Sequence, residues 1–345
     1  MKRIVRALYG CLIASAGVCA AALPARAETA ADFYAGKTVR IMVGTTPGGG
    51  FDAYARLLAP SMQKKLGATV IVENKPGGSH MVAMNAVYTA TPDGLTLMMA
   101  PGEGAVLGKL LNEPGIHFDL NAYPIVARVN TAPRVLIINP ALPYRTLKDI
   151  QASGKPLVMG FSGKDDGASD TAAVLCHAAN LACKMIIGYP SSKEFTLAAV
   201  RGEVDGTVLT EDSAAHFSEN GQLRPIVTTG REHATFLPDV PTVFEAMTVS
   251  AEGSWWLDFR DDVRKLGRLL MVTPGTPPER LAFLRDSLKA IETDKATMAA
   301  FAAKGQPLRY APPEEMAAII ARLLGGELSP DKVKAIDEVI MKKYY

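Results

Sequence analysis

Two segments of this chain have residue types and spacing that could do chemistry. They are Thr46-Pro47-Gly48-Gly49-Gly50-Phe51-Asp52 and Gly160-Phe161-Ser162-Gly163-Lys164. In the first, three glycines precede a helical pattern, which leaves backbone N–H groups bare and lets a ligand approach the main chain closely. The helix dipole adds partial positive charge at the same point, so the turn suits an anion, either a nucleotide phosphate or a small carboxylate. A dinucleotide fingerprint needs G-x-G-x-x-G, but Ala53 stands in the last position and only Glu73 approaches the ribose-binding acid. A P-loop fails because no Gly-Lys-Ser/Thr follows the glycines. The second segment resembles a nucleophile elbow, yet Lys164 replaces its final glycine. Ser162 is more simply a hydrogen-bond donor to a ligand. Ser61-Met62-Gln63-Lys64 matches S-x-x-K but sits inside a helical pattern without its partner motifs. The five histidines lack metal-ligand spacing, and Asp165-Asp166 offers too few oxygens for a cation. His80 remains a candidate contact because it follows Gly77-Gly78-Ser79 at another strand-to-helix turn.

These turns need elements to hold them. Val39, Ile41 and Val43 form an apolar, β-favouring run before the first turn. Ala55, Leu58, Ala59 and Met62 recur at helical spacing after it, with Asp52 placed to cap the helix. Further strands are predicted over 69–73, 95–99, 135–138, 157–161, 185–187 and 204–209. Helices are predicted over 81–90, 147–153, 172–179 and 195–201, and two more, 278–293 and 313–324, cap the body. This alternation implies α/β architecture with parallel sheets flanked by helices. One domain is expected over 28–128 plus 248–345 and a second, inserted, over 129–247. Open α/β sheets bind ligands beyond the carboxyl ends of their strands. The loops there are 46–52, 101–105, 162–169 and 189–192, and two such sheets facing each other make a cleft. Trp255-Trp256 is expected in the core.

Lys2, Arg3 and Arg6, the apolar run 7–22 and Ala25-Arg26-Ala27 together read as a signal peptide cleaved after Ala27, hence an exported, periplasmic protein. The chain has 37 basic and 35 acidic residues. Without the four basic residues of the leader, 33 basic residues remain, for a formal charge of −2. Nothing in that balance points to nucleic acid or an anionic membrane surface. Cys176 and Cys183 remain in the mature chain. They could pair only if the chain reverses between them, since seven residues of straight helix span about 10 Å.

The segments VRIMVGTTPGGGFDAYARLLAPSMQKKLG, VIVENKPGG, ATPDGLTLMMA, AAVRGEVDG, LPDVPTVFEA and VTPGTPPERL, in this order, resemble the extracytoplasmic solute-binding receptors of tripartite tricarboxylate transporters, the TctC or Bug family. The resemblance runs from about Phe33 to beyond Pro312. It implies a two-domain periplasmic-binding-protein fold, type II-like, that closes over one small ligand. It further implies a carboxylate held by backbone amides and ordered waters between the loops 46–52 and 162–169. A family aspartate corresponds to Asp205. This chain departs from the family pattern at Lys164, Asp165, Asp166 and Asp170, at Glu103, and at Pro190-Ser191-Ser192 after Tyr189. Lys164 is placed to pair a distal carboxylate, whereas Glu103 favours an amine or hydroxyl. The expected ligand contacts are Thr46, Gly48, Gly49, Gly50, Phe51, Asp52, His80, Glu103, Ser162, Gly163, Lys164, Asp166, Tyr189 and Asp205. The expected function is a monomeric receptor that delivers a small organic acid to membrane transporter subunits, with no catalysis and no cofactor or metal. An alternative of another class is a receptor that signals to a membrane sensor kinase. A hydrolase, resting only on Ser162, is a third.

Overall fold

The computed structural model describes residues 29–164 and 167–345. The leader and Asp166 lie outside the described residues. The first sheet contains β1 (Thr38–Val43), β2 (Thr69–Asn74), β3 (Thr96–Pro101), β4 (Ile125–Asn130) and β10 (Arg268–Val272), in the order β2-β1-β3-β10-β4. The second contains β5 (Arg134–Ile138), β6 (Leu157–Gly160), β7 (Cys183–Ile186), β8 (Gly206–Thr210) and β9 (Arg224–Thr228), in the order β7-β6-β8-β5-β9. The α/β, two-sheet fold is the expected one.

Both sheets are mixed, however. β10 runs antiparallel to β3 and β4, and β5 runs antiparallel to β8 and β9. The connections explain it. β5 enters the second sheet directly from the end of β4, and β10 enters the first directly from the helix Ala251–Leu266. Neither strand arrives by the crossover that parallel pairing requires. A reversed strand also begins where its neighbours end. Arg268 therefore sits in register with Pro101 and Asn130, and Arg134 with Thr210. Gly267 makes the first of these approaches possible, because its φ is +50° and a Cβ there would lie 2.1 Å from the Asn130 carbonyl oxygen.

Val39, Ile41 and Val43 are buried, with Leu58 and Met62 of the helix Gly50–Leu66 and Leu284 and Leu288 of the helix Pro278–Glu292 beside them. A second apolar cluster spans the molecule behind the cleft. It joins Met98 and Val106 on the first sheet's side to Leu136 and Val174 on the second's, through Trp256, Phe259, Ile320 and Ile340. Trp256 is 2% exposed, and Trp255 stacks on Phe259 with ring centroids 5.6 Å apart. The helix Ala251–Leu266 carries this aromatic group and was not among the expected helices. Its Trp256, Phe259, Val263 and Leu266 keep helical spacing, and the buried Arg260 and Arg264 add charge beside that stripe.

Cys176 and Cys183 are disulfide-bonded with Cα atoms 6.3 Å apart. The chain turns back at Asn180 (φ +49°), where the Leu181 N–H donates to the Cys176 carbonyl at 2.9 Å. Among the described residues no helix is long and apolar enough to cross a membrane.

Candidate functional site

A cleft of about 600 Å³ opens between the two sheets. Several helices begin on it. The helix Gly50–Leu66 presents Gly50 and Phe51, the helix Gly102–Leu110 presents Glu103 and Gly104, and the helix Gly167–Ala178 presents Gly167 and Ala168. The helix Glu211–Glu219 presents Asp212 and Ser213. First-turn N–H groups lack partners inside their own helices, and each helix start carries partial positive charge. The cleft is thus an anion-favouring space even before side chains are counted.

The first turn is held by a buried carboxylate. Asp52 accepts from the Gly48 N–H at 2.9 Å, from Arg56 Nε at 2.9 Å and from Asn74 Nδ2 at 2.9 Å. It therefore fixes the loop, and it occupies the Gly48 amide that the sequence left bare. Thr46 is exposed, and the lining passes from Gly44 and Thr45 to Gly50 and Phe51, leaving out Thr46, Gly48 and Gly49. Across the cleft the Ser169 hydroxyl donates to the Gly163 carbonyl at 2.7 Å and shapes the second loop, where Ser162 and Gly163 line the wall. Gly163 and Lys164, directly after Ser162, are not helical, so this serine does not sit on the tight strand-to-helix turn of a nucleophile elbow.

His80 lines the cleft beside Ser79, and both residues hold positive φ, +79° and +47°. The His80 ring meets the Phe51 ring edge-on at 4.4 Å. Gly44 permits this, since a Cβ there would come within 2.5 Å of the His80 Cα. Backbone held in this region by residues other than glycine is typical of sites where geometry serves binding.

Charge in the cleft is organised around arginines. Glu103 Oε2 accepts from Arg260 Nη2 at 2.6 Å and from Arg134 Nη2 at 3.2 Å, and Arg260 Nε also donates to Asp170 Oδ1 at 2.8 Å. Burial opposes the charge on Glu103, but the two guanidinium groups outweigh it and hold its pKa down at about 2. Asp170 is more enclosed, and burial pushes its pKa up to about 6. Glu103 is thus a compensated charge and does not by itself repel a ligand anion. Arg268 differs. Its Nη1 donates to the Asn130 side-chain oxygen at 2.8 Å, its guanidinium lies 4.8 Å from the Phe51 and Tyr54 ring centres, and its buried Nε has no partner among the described residues.

The model of the tripartite tricarboxylate transporter family receptor (TctC) matches residues 54–314. The chain belongs to that family. It is 26% identical over 327 residues to the protein BugT of Bordetella pertussis, covering 93% of this chain and 94% of BugT. Among solved structures it resembles MatC of Rhodopseudomonas palustris with bound malate (TM-score 0.67, 20% identity, 88% of this chain and 99% of that one). It also resembles Rpa4515 of R. palustris with adipate (TM-score 0.70, 18% identity, 88% and 97%). At these identities the structural likeness speaks for the fold.

Several expected contacts of this TctC receptor lie elsewhere. Lys164 donates to the Met341 carbonyl at 2.8 Å and covers the Tyr345 ring at 4.7 Å, so the C-terminal helix Pro330–Met341 has claimed its charge. Asp205 accepts from the Val158 N–H at 2.8 Å and returns its own N–H to the Val158 carbonyl at 2.7 Å, which ties the start of β8 to β6. Tyr189 packs on the apolar cluster of the second sheet and is outside the cleft lining. Among the cleft-lining residues that sequence reasoning missed are Arg134, Arg268, Asn130 and Asp212. One signal was present. Arg134 and Arg268 each head an apolar run, RVLII and RLLMV, and a lone charge at the start of a buried strand marks the strand end that meets solvent. Among the described residues no group of His, Cys, Asp or Glu could hold a metal ion.

Proposed function

We propose that this TctC receptor is a periplasmic protein that binds a small organic acid between its two sheets and hands it to membrane transporter subunits, without catalysis. The observation that carries the reading is the cleft itself. Helix starts from both sheets converge there with Arg268, a cation that has no carboxylate partner among the described residues. The ligand carboxylate is met by the amides at Gly50 and Phe51 and by the hydroxyl of Ser162. The malate and adipate in MatC and Rpa4515 support this substrate class. The signal-peptide pattern of residues 1–27 supports export. The lobes are taken as 28–128 plus 248–345 and 129–247. A ligand that touches both favours the closed arrangement of a hinge.

A thermal-shift screen of organic acids against the mature chain tests this. A true ligand present at a hundred times its Kd stabilises by about 2.7 kcal/mol, enough to move the melting temperature by several degrees. Stabilisation by neutral or purely cationic solutes, with none by any carboxylate, would overturn the assignment.

A further inference from the structure

We propose that Arg268 and Asp212 read opposite ends of the ligand and select an organic acid that also carries an ammonium group. The proposal rests on the organic-acid reading above and names the substrate class within it.

The two sheets present matching charges. Glu103 lies two positions beyond the end of β3 and Asp212 two positions beyond the end of β8, and both strands stand third in their sheet order. Arg134 and Arg268 are the first residues of the reversed strands β5 and β10. Each carboxylate thus has an arginine of the other sheet as its counterpart across the cleft. One pair is closed, with Arg134 Nη2 3.2 Å from Glu103 Oε2. The other is open. Arg268 is held by the neutral Asn130 amide and two aromatic faces, and Asp212 by the Ser213 hydroxyl at 3.5 Å. Among the described residues neither has an opposite charge in contact, yet both are half-buried and face one cavity. Two such charges are compensated together by a molecule carrying an anion toward Arg268 and a cation toward Asp212. The guanidinium fork suits a carboxylate, and the single carboxylate opposite suits an ammonium.

The test measures Kd by titration calorimetry for the pairs succinate/aspartate and glutarate/glutamate, each differing only by an amino group, on the full mature chain. The wild type should prefer the amino member of a pair. Asp212→Asn should abolish that preference, weakening the amino acid about tenfold or more while the plain diacid binds as before or better. Arg268→Met should weaken every acid that binds by about 10- to 100-fold, and Arg268→Lys should recover part of the loss. Unliganded melting curves of the variants separate loss of contact from loss of fold. A wild type that prefers the plain diacids, or an Asp212→Asn chain with unchanged preference, overturns the proposal while the organic-acid reading stands. Should Arg268 and Asp212 simply pair with each other, Asp212→Asn would tighten the amino and the plain member of each pair by the same factor and leave their ratio unchanged, which also overturns it. Absence of binding by any organic acid removes the underlying reading and this proposal with it.

Discussion

Replacing Glu103 by Gln removes one of the two carboxylates that balance Arg134 and Arg260. The side chains of Arg260 and Asp170 are 4% and 2% exposed, so water reaches little of the positive charge left behind. Breaking one partner of a buried ion pair costs about 3–5 kcal/mol. Glu103 is 17% exposed and opens on the cleft, and Gln keeps one acceptor oxygen, so the expected loss is smaller, about 2–3 kcal/mol. That corresponds to a fall in Tm of about 3–5 °C for a chain of this length. The pH dependence has a definite sign. The folded pKa of Glu103 is about 2, below its ordinary 4.5. Its contribution is therefore fully present above pH 4.5 and lost as pH falls toward 2. Urea denaturation of both chains at pH 7.5, and at steps down to pH 3, should show a gap that is widest at neutral pH and shrinks in acid. Equal stability at pH 7.5, or a gap that grows in acid, would refute the compensated-charge account of the cleft wall.

Other consequences are as direct. Glu292 is 1% exposed, neither of its oxygens has a partner among the described residues, and burial pushes its pKa well up. A raised carboxyl pKa gives stability below the unfolded value that is lost as pH rises, so Glu292→Gln should raise Tm by several degrees at pH 8 and change it little near pH 4. Lys164→Met should leave acid binding within about twofold, because that ammonium serves Met341; a loss above tenfold in calorimetry would return Lys164 to the cleft. Asp52→Ala should lower stability by about 1–3 kcal/mol and weaken binding as well, since the Gly48 amide, Arg56 and Asn74 all lose their shared acceptor. Unchanged melting would contradict its role as the clamp of the glycine turn.

The parts of the fold set by local pattern were legible in the sequence. Val39, Ile41 and Val43 and the helix after them stand where their spacing places them, and Asn180 supplies the chain reversal that the cysteine pair needs. The reversed strands were not legible, because direction depends on how a strand is reached and not on its own residues. That one fact also hid Arg134 and Arg268 as cleft residues. Charged residues were the least legible part of the site. Lys164, Asp205 and Asp52 have the right chemistry for a ligand, but each is engaged by a partner distant in sequence or by its own loop. A sequence shows which groups could bind and does not show which are already satisfied. From the sequence Glu103 reads as favouring an amine or hydroxyl for the same reason, since Arg260, which compensates it, follows by more than a hundred residues.

The central claim is that a small organic acid lies in the cleft with its carboxylate between the helix starts and Arg268. A crystal structure of the mature chain, grown with the acid that raises its Tm most, measures this directly. The account predicts a carboxylate within hydrogen-bond reach of the Gly50 or Phe51 amide and of the Arg268 guanidinium, with residues of both sheets closed on the ligand. An acid bound on an outer surface, with the cleft holding only water, would contradict it.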